Sequence, residues 1–292
     1  MPVTAIALVL LAALLHAGWN IAAKKSGGGA HFVAMGALMI VLLWAPLGLV
    51  MMLRQAPAWG WQAWALLGAS GLTHLVYFNV LLAGYRAADL TVVYPVARGS
   101  GPLLSCFAAV WLLGEPFGWR TAAGVLGVSG GVLLIAGGPA LWRPGQDPAQ
   151  RARSLAGLRW GAATGALIAL YTVLDGYAVK VMLISPILVD YVGNLLRIPL
   201  MLPAVLADRA GFVRDFRLQW RAALLLAALS PLGYVLVLYA VQMAPLSHVA
   251  PAREVSMLFA ALLGGRLLGE TDRGLRLLGA ACIVAGVLLL AL

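Results

Sequence analysis

The sequence predicts an all-α polytopic membrane protein: ten transmembrane helices, built as a 5+5 inverted-topology repeat. Three observations carry this. The chain is 63% hydrophobic and 10% charged, with a mean hydropathy of +0.95, whereas a soluble domain carries about 25% charged residues. It holds ten apolar runs, each close to the roughly 20 residues that a helix needs to cross a bilayer. Finally, the stretch Tyr94 to Glu115 is echoed from Val249 to Glu270. Arg253 falls on Arg98, Leu258 on Leu103, and Leu267-Leu268-Gly269-Glu270 on Leu112-Leu113-Gly114-Glu115. Gly279 then falls on Gly124, and Gly286 on Gly131. A period of half the chain indicates internal duplication.

The runs lie near 4–23, 32–53, 62–85, 90–113, 120–140, 156–179, 186–206, 219–241, 246–268 and 273–292. The first is no cleavable signal, because no basic residue precedes it and it carries His16 and Asn20. It ends in Ser26-Gly27-Gly28-Gly29, a tight exit that lacks the lysine and Ser/Thr of a phosphate-binding loop. Short links join runs two to five, as packed antiparallel helices require. Pro95, Gly99, Gly101 and Pro102 predict a loosened fourth run, and Pro245 and Pro251 a loosened ninth. The polar stretch from Arg143 to Arg153, with Pro144, Gly145 and Pro148, reads as a linker and not an element. The predicted units are therefore 1–142 and 156–292, joined by 143–155. Five spans each, an odd number, invert the second copy relative to the first.

Runs five and ten read as packing helices, since Gly127-x-x-x-Gly131 and Cys282-x-x-x-Gly286 set small residues on one face. Glu115 and Glu270 begin the turns into them, as carboxylates at helix N-termini. Cys106 and Cys282 form no Cys-x-x-Cys pair and read as apolar fillers. No motif predicts a metal or a cofactor.

The net charge of +10 invites a nucleic-acid reading, which the positions of the charges exclude. With loops counted alternately, one side holds only Arg54, Arg120 and Lys180, against fourteen Lys and Arg on the other. Basic loops stay cytoplasmic, so the basicity encodes topology and puts both termini outside the cytoplasm.

Polar residues inside the spans carry the functional signal, because lipid makes them costly and turns them toward a cavity or each other. His16, Trp19 and Asn20 share a face of run one, and His74, Tyr77 and Phe78 a face of run three. Tyr94 and Arg98 line run four. Tyr171 and Asp175 stand four apart on run six, and Ser230 and Tyr234 on run eight. Run nine brings His248, Arg253, Glu254 and Ser256, and run seven Asp190 and Arg197. Under the repeat the polar runs pair as one with six, three with eight and four with nine, which predicts a central cavity. The expected substrate-binding set is His16, Trp19, Asn20, His74, Tyr77, Phe78, Tyr94, Arg98, Tyr171, Asp175, Tyr234, His248, Arg253 and Ser256. Asp175 and Glu254 are the candidates for proton coupling. Interhelical hydrogen bonding is the competing role for the Tyr and His residues, and pairing with Glu254 or Asp175 for the two arginines. Trp44, Trp59, Trp61 and Trp119 are expected in the interfacial belt.

The twin helices Tyr94-Pro-Val-Ala-Arg98 and Ala250-Pro-Ala-Arg253-Glu254 each close in Leu-Leu-Gly-Glu. With the His16-x-x-Trp19-Asn20 pattern, they carry a resemblance to the drug/metabolite transporter superfamily, in its ten-helix EamA branch, over nearly the full length. Within it the chain looks like the YddG-type exporters of aromatic and other amino acids. The resemblance implies a secondary transporter of the bacterial inner membrane, working by alternating access between the two repeats. Its partners would be a small-molecule substrate and the lipid bilayer, as monomer or homodimer, with export of another metabolite or drug as the alternative. With no nucleotide-binding motif, the driving energy is expected from a gradient.

The rival of another class is an intramembrane serine protease. Gly68-Ala-Ser70-Gly71 supplies a candidate nucleophile, His74 or His248 a base, and His16 with Asn20 an oxyanion site. A second Gly-Val-Ser-Gly at Gly127 to Gly130 shows how readily the pattern arises in a chain with 34 glycines. The expectation is that the chain is no enzyme and that Ser70 is a small packing residue.

Overall fold

A computed structural model describes residues 1–25, 30–88, 90–135, 148–259 and 273–292, without the side chains of 20–25, 30, 90–91, 149, 273 and 276. In order the helices are α1 (Val3–Lys25), α2 (Ala30–Gln55), α3 (Trp61–Ala87), α4 (Leu90–Leu113) and α5 (Trp119–Ile135). There follow α6 (Pro148–Lys180), α7 (Pro186–Ala207), α8 (Arg209–Met243), α9 (Leu246–Ala252) and α10 (Arg273–Ala291), with a 3₁₀ turn at Ala56–Ala58. Among the described residues six helices are long and apolar enough to cross a membrane: α2, α3, α4, α6, α7 and α8. Shorter apolar helices cover Val3–Trp19, Trp119–Ile135 and Leu277–Ala291. Large apolar side chains such as Leu42, Leu53, Trp111 and Leu126 stand exposed on the outside, as they do when lipid is the solvent. The protein is an all-α polytopic membrane protein.

Part of the packing follows the repeat, with α1–α5 exchanging with α6–α10. The contact of α3 with α6 has its mate in that of α8 with α1, and α2 with α8 its mate in α7 with α3. The pairs α5–α10 and α2–α7 map onto themselves. The N-terminal ammonium of Met1 donates to the carbonyl of Ala291 at 2.7 Å. Both termini therefore lie on one side, as an even number of crossings requires.

The α5–α10 seam is built from glycine. A Cβ on Gly131 would fall 2.5 Å from the Gly279 carbonyl oxygen, and one on Gly286 2.6 Å from that of Gly124. Only hydrogen on these positions lets the two backbones touch.

Several expectations are corrected. Residues 148–155 of the expected linker are helical, because Pro148 opens α6, where its missing N–H has no partner to lose. The rest of that linker, the Ser26–Gly29 turn and Glu270 lie outside the described residues. The fourth run is not loosened: α4 is continuous through Pro95 and Pro102. Its glycines serve close packing, a Cβ on Gly101 falling 2.8 Å from Ile168 on α6. The ninth run does break, as expected. Helix α9 stops at Ala252, Arg253 and Glu254 form a turn, and helical backbone resumes at 255–259. The turn is tight, with Glu254 N–H bonding to Pro251 O at 2.9 Å and Ser256 N–H to Arg253 O at 3.2 Å. The indole of Trp44 donates to the Ala227 carbonyl on α8 at 2.9 Å. Pro231 has no N–H for that carbonyl, so Trp44 satisfies the group that proline leaves open.

Candidate functional site

Two polar clusters occupy the interior, each centred on one buried carboxylate. The first is Asp175 on α6, only 1% exposed. Ser70 on α3 donates to its Oδ1 at 2.5 Å, the Tyr234 hydroxyl on α8 donates to Oδ2, and His74 Nε2 lies 3.2 Å from Oδ2. The ring of His74 stacks on Tyr171 at 3.9 Å between centroids and meets Tyr234 edge-on at 5.8 Å. Tyr77 meets Tyr171 edge-on at 5.6 Å between centroids. Helical spacing sets this up: Ser70, His74 and Tyr77 fall on one face of α3, and Tyr171 and Asp175 on one face of α6. Among the described residues Asp175 has no arginine or lysine within ion-pair distance, its one possible cationic partner being His74.

The second cluster is centred on Glu254, in the turn after α9 and 1% exposed. Arg98 Nη2 on α4 lies 2.8 Å from Glu254 Oε2 and donates to Ser256 Oγ at 3.4 Å. Arg253 Nε stands 3.9 Å from Glu254 Oε1. Two guanidiniums thus share one carboxylate, and among the described residues the buried Nε of each arginine has no hydrogen-bond partner. Tyr94 donates to Met257 Sδ at 3.3 Å beside this group. His16 lies within electrostatic reach of both arginines and packs edge-on against Trp19 at 4.9 Å.

Most of the expected residues therefore converge. His248 does not join them: its Nε2 pairs with Thr121 Oγ1 at 3.0 Å and its Nδ1 with the Leu290 carbonyl at 2.9 Å. That ties α9 to α5 and α10. Phe78 is half-buried on α3, and the side chain of Asn20 lies outside the described residues. Asp190 and Arg197 do not pair within 4 Å, Arg197 Nε turning instead to the Gly193 carbonyl at 3.0 Å.

Sequence reasoning missed two residues. Ser70 is no inert filler but a buried donor to Asp175, and its position four residues before His74 was the available signal. Glu115 does sit at a helix N-terminus, but at that of α9 in the other half. It accepts from Leu246 N–H at 2.7 Å, from Ser247 N–H at 2.8 Å and from Lys180 Nζ at 2.7 Å. Burial works to raise its pKa, but Lys180 and the two backbone donors outweigh burial and hold it below the usual carboxylate value.

In a serine-hydrolase triad the histidine stands between serine and carboxylate and takes the serine proton. Here the carboxylate stands in the middle: Ser70 donates to Asp175, and His74 contacts that carboxylate rather than the serine. Among the described residues no three His, Cys, Asp or Glu side chains converge as a metal site.

The model of the EamA-like transporter family matches the chain twice, over residues 3–137 and 155–292. A search of curated proteins yields no match. One crystal structure of a protein superposes on 99% of this chain and 96% of its own, with a TM-score of 0.70 and 18% identity. At that identity the likeness shows a shared fold alone. With the family pattern met once in each half, the chain belongs to the EamA-like transporter family, the membrane transporters of small molecules within the drug/metabolite superfamily.

Proposed function

We propose that the protein exports small zwitterionic metabolites, neutral and aromatic amino acids first among them, across the bacterial inner membrane. The observation that carries this reading is the opposite imbalance of the two clusters. Arg98 and Arg253 outnumber Glu254, leaving a pole that a substrate carboxylate completes. Asp175 is met by two hydroxyls and a histidine, leaving a pole that a substrate ammonium completes. Tyr77, Tyr171 and His74 stand as a ring-lined wall for an apolar or aromatic side chain. Buried charge without a partner is costly, so sites of this kind are kept for ligands.

Transport then follows by rocking the halves around the clusters, which draw residues from both repeats. Asp175 and Glu254 are the candidates for proton coupling, Glu254 with a guanidinium at 2.8 Å. The charge asymmetry orients both termini away from the cytoplasm. A reporter fused after Leu292 and found in the cytoplasm would reverse that orientation. Purified protein in liposomes, offered a panel of labelled amino acids, tests the substrate class. Uptake of one or more neutral amino acids is expected, and uptake of none of them would remove the proposal.

A further inference from the structure

Helix α8 is longer than a membrane is thick. Its 35 residues extend about 52 Å, against a hydrocarbon core of about 30 Å. Its last residue, Met243, accepts from Thr4 of the first turn of α1, which fixes that end on the side of the termini. Counting about 20 residues back ends the crossing near residue 223. Residues 209–222 then leave the hydrocarbon on the basic side, the last turns before residue 223 crossing the headgroup zone and the rest extending toward water.

This segment has two faces. Phe212 and Phe216 pack inward on Phe32, Met35 and Ala223. Its two acids are used locally: Asp215 pairs with His31 at 2.8 Å, and Asp208 caps the Gly211 N–H at 2.9 Å. The outer stripe alternates Arg214, Arg217 and Arg221 with exposed Val213 and Leu218. Arg221 lies over the half-exposed ring of Trp220 at 5.5 Å. Among the described residues Arg209, Arg217 and Arg221 have no acidic partner within 4 Å, and Arg214 has only Asp215, at 3.3 Å. A shallow groove with a largely apolar floor runs between Arg209, Arg214 and Arg217.

We propose that this ledge is a binding surface for anionic phospholipid, with the arginines reaching for the phosphates and Leu218 and Trp220 nearest the acyl boundary. The topology rule accounts for positive charge on this side, but loops satisfy it equally well. It does not explain a stripe in which arginines alternate with apolar residues at helical spacing, while both acids are engaged below it. Guanidinium forks suit phosphate oxygens, and an interfacial amphipathic face suits the depth at which headgroups lie. The inference rests on the membrane orientation and on no assumption about the substrate.

The test uses the full chain in nanodiscs of phosphatidylcholine, with Cys106 and Cys282 replaced by alanine and a bimane label on L218C. Part of the lipid is replaced by brominated phosphatidylglycerol or by the same fraction of brominated phosphatidylcholine. Each basic residue near an anionic surface contributes roughly fivefold in affinity. Phosphatidylglycerol should quench well beyond its bulk fraction, and R209Q/R214Q/R217Q should bring quenching down to that of phosphatidylcholine. The triple lysine variant should keep most of the excess, and R151Q/R153Q/R159Q on α6, equal in net charge, should keep all of it. Equal quenching by the two lipids in the parent, no quenching by either, an excess that survives the α8 glutamines, or an equal loss from the α6 glutamines would each overturn the proposal.

Discussion

Glu115 and Leu246 are joined across the two halves of the molecule: the carboxylate that follows α4 accepts the backbone N–H at the start of α9, at 2.7 Å. The same carboxylate holds Ser247 N–H and Lys180. One side chain from the first repeat thus caps a helix of the second and pairs with the end of α6. Replacing Glu115 with alanine should cost about 2 kcal/mol, the upper end of the range for a helix cap, because two N–H groups and an ammonium lose their acceptor together. The folded-state pKa is lowered, so this contribution is complete above the ordinary carboxylate pKa of 4.5 and is lost as pH falls through the lower folded value. Thermal unfolding in detergent across that acid range checks both points. Parent and E115Q should converge at the acid end, and parallel curves would contradict the assignment.

The two repeat-related arginines should not behave alike. Arg98 is the close partner of Glu254, and Arg253 stands farther off. The close partner thus comes from the other repeat, although Arg253 is adjacent to Glu254 in sequence. Breaking a buried pair costs about 3–5 kcal/mol, so R98Q should lower expression and melting temperature sharply, and R253Q should do so less. Both should weaken substrate binding in detergent. Equal loss of stability would contradict the geometry.

Ser70 separates transport from proteolysis. S70A removes one donor from a buried carboxylate, worth about 1.5–3 kcal/mol for a hydrogen bond to a charged group. Transport and stability should fall while His74 and Tyr234 keep the site assembled. A membrane peptide cleaved by the parent and spared by S70A would instead restore the hydrolase reading.

Much of this architecture was legible in the sequence because lipid constrains composition so strictly. The apolar runs, the Leu-Leu-Gly-Glu echo and the small-residue faces of Gly131 and Gly286 follow from one-dimensional patterns. So did the convergence of His74, Tyr171, Asp175 and Tyr234, since mid-span polar groups must turn inward. What could not be read was pairing between distant segments. Nothing in the neighbourhood of Glu115 points to Leu246, and the partner of the Ala227 carbonyl is a tryptophan far away on α2. Proline was ambiguous for a related reason. Pro102 is tolerated inside α4, where glycines press the helix onto α6, whereas beyond Pro251 the chain turns at Arg253 and Glu254.

Neighbouring glycines on α5 give an internal control. G131A would place its methyl group 2.5 Å from the Gly279 carbonyl, while nothing lies within 4 Å of the same atom on G130A. The first should destabilise by about 1–3 kcal/mol through overpacking, and the second should be neutral or gain up to about 1 kcal/mol from helix propensity. Melting curves that rank them the other way would contradict the α5–α10 seam.

The central claim is that the carboxylate and the ammonium of one small molecule complete the two clusters. Counterflow of labelled phenylalanine in proteoliposomes, competed by unlabelled phenylalanine, phenethylamine or 3-phenylpropionate, tests it most directly. Each pole contributes a charge-assisted contact worth at least a factor of roughly ten. Phenylalanine should therefore compete about tenfold or more better than either analogue, each of which lacks one charge. If the amine or the acid competes as well as the amino acid, or if no counterflow occurs, the two-pole account is wrong.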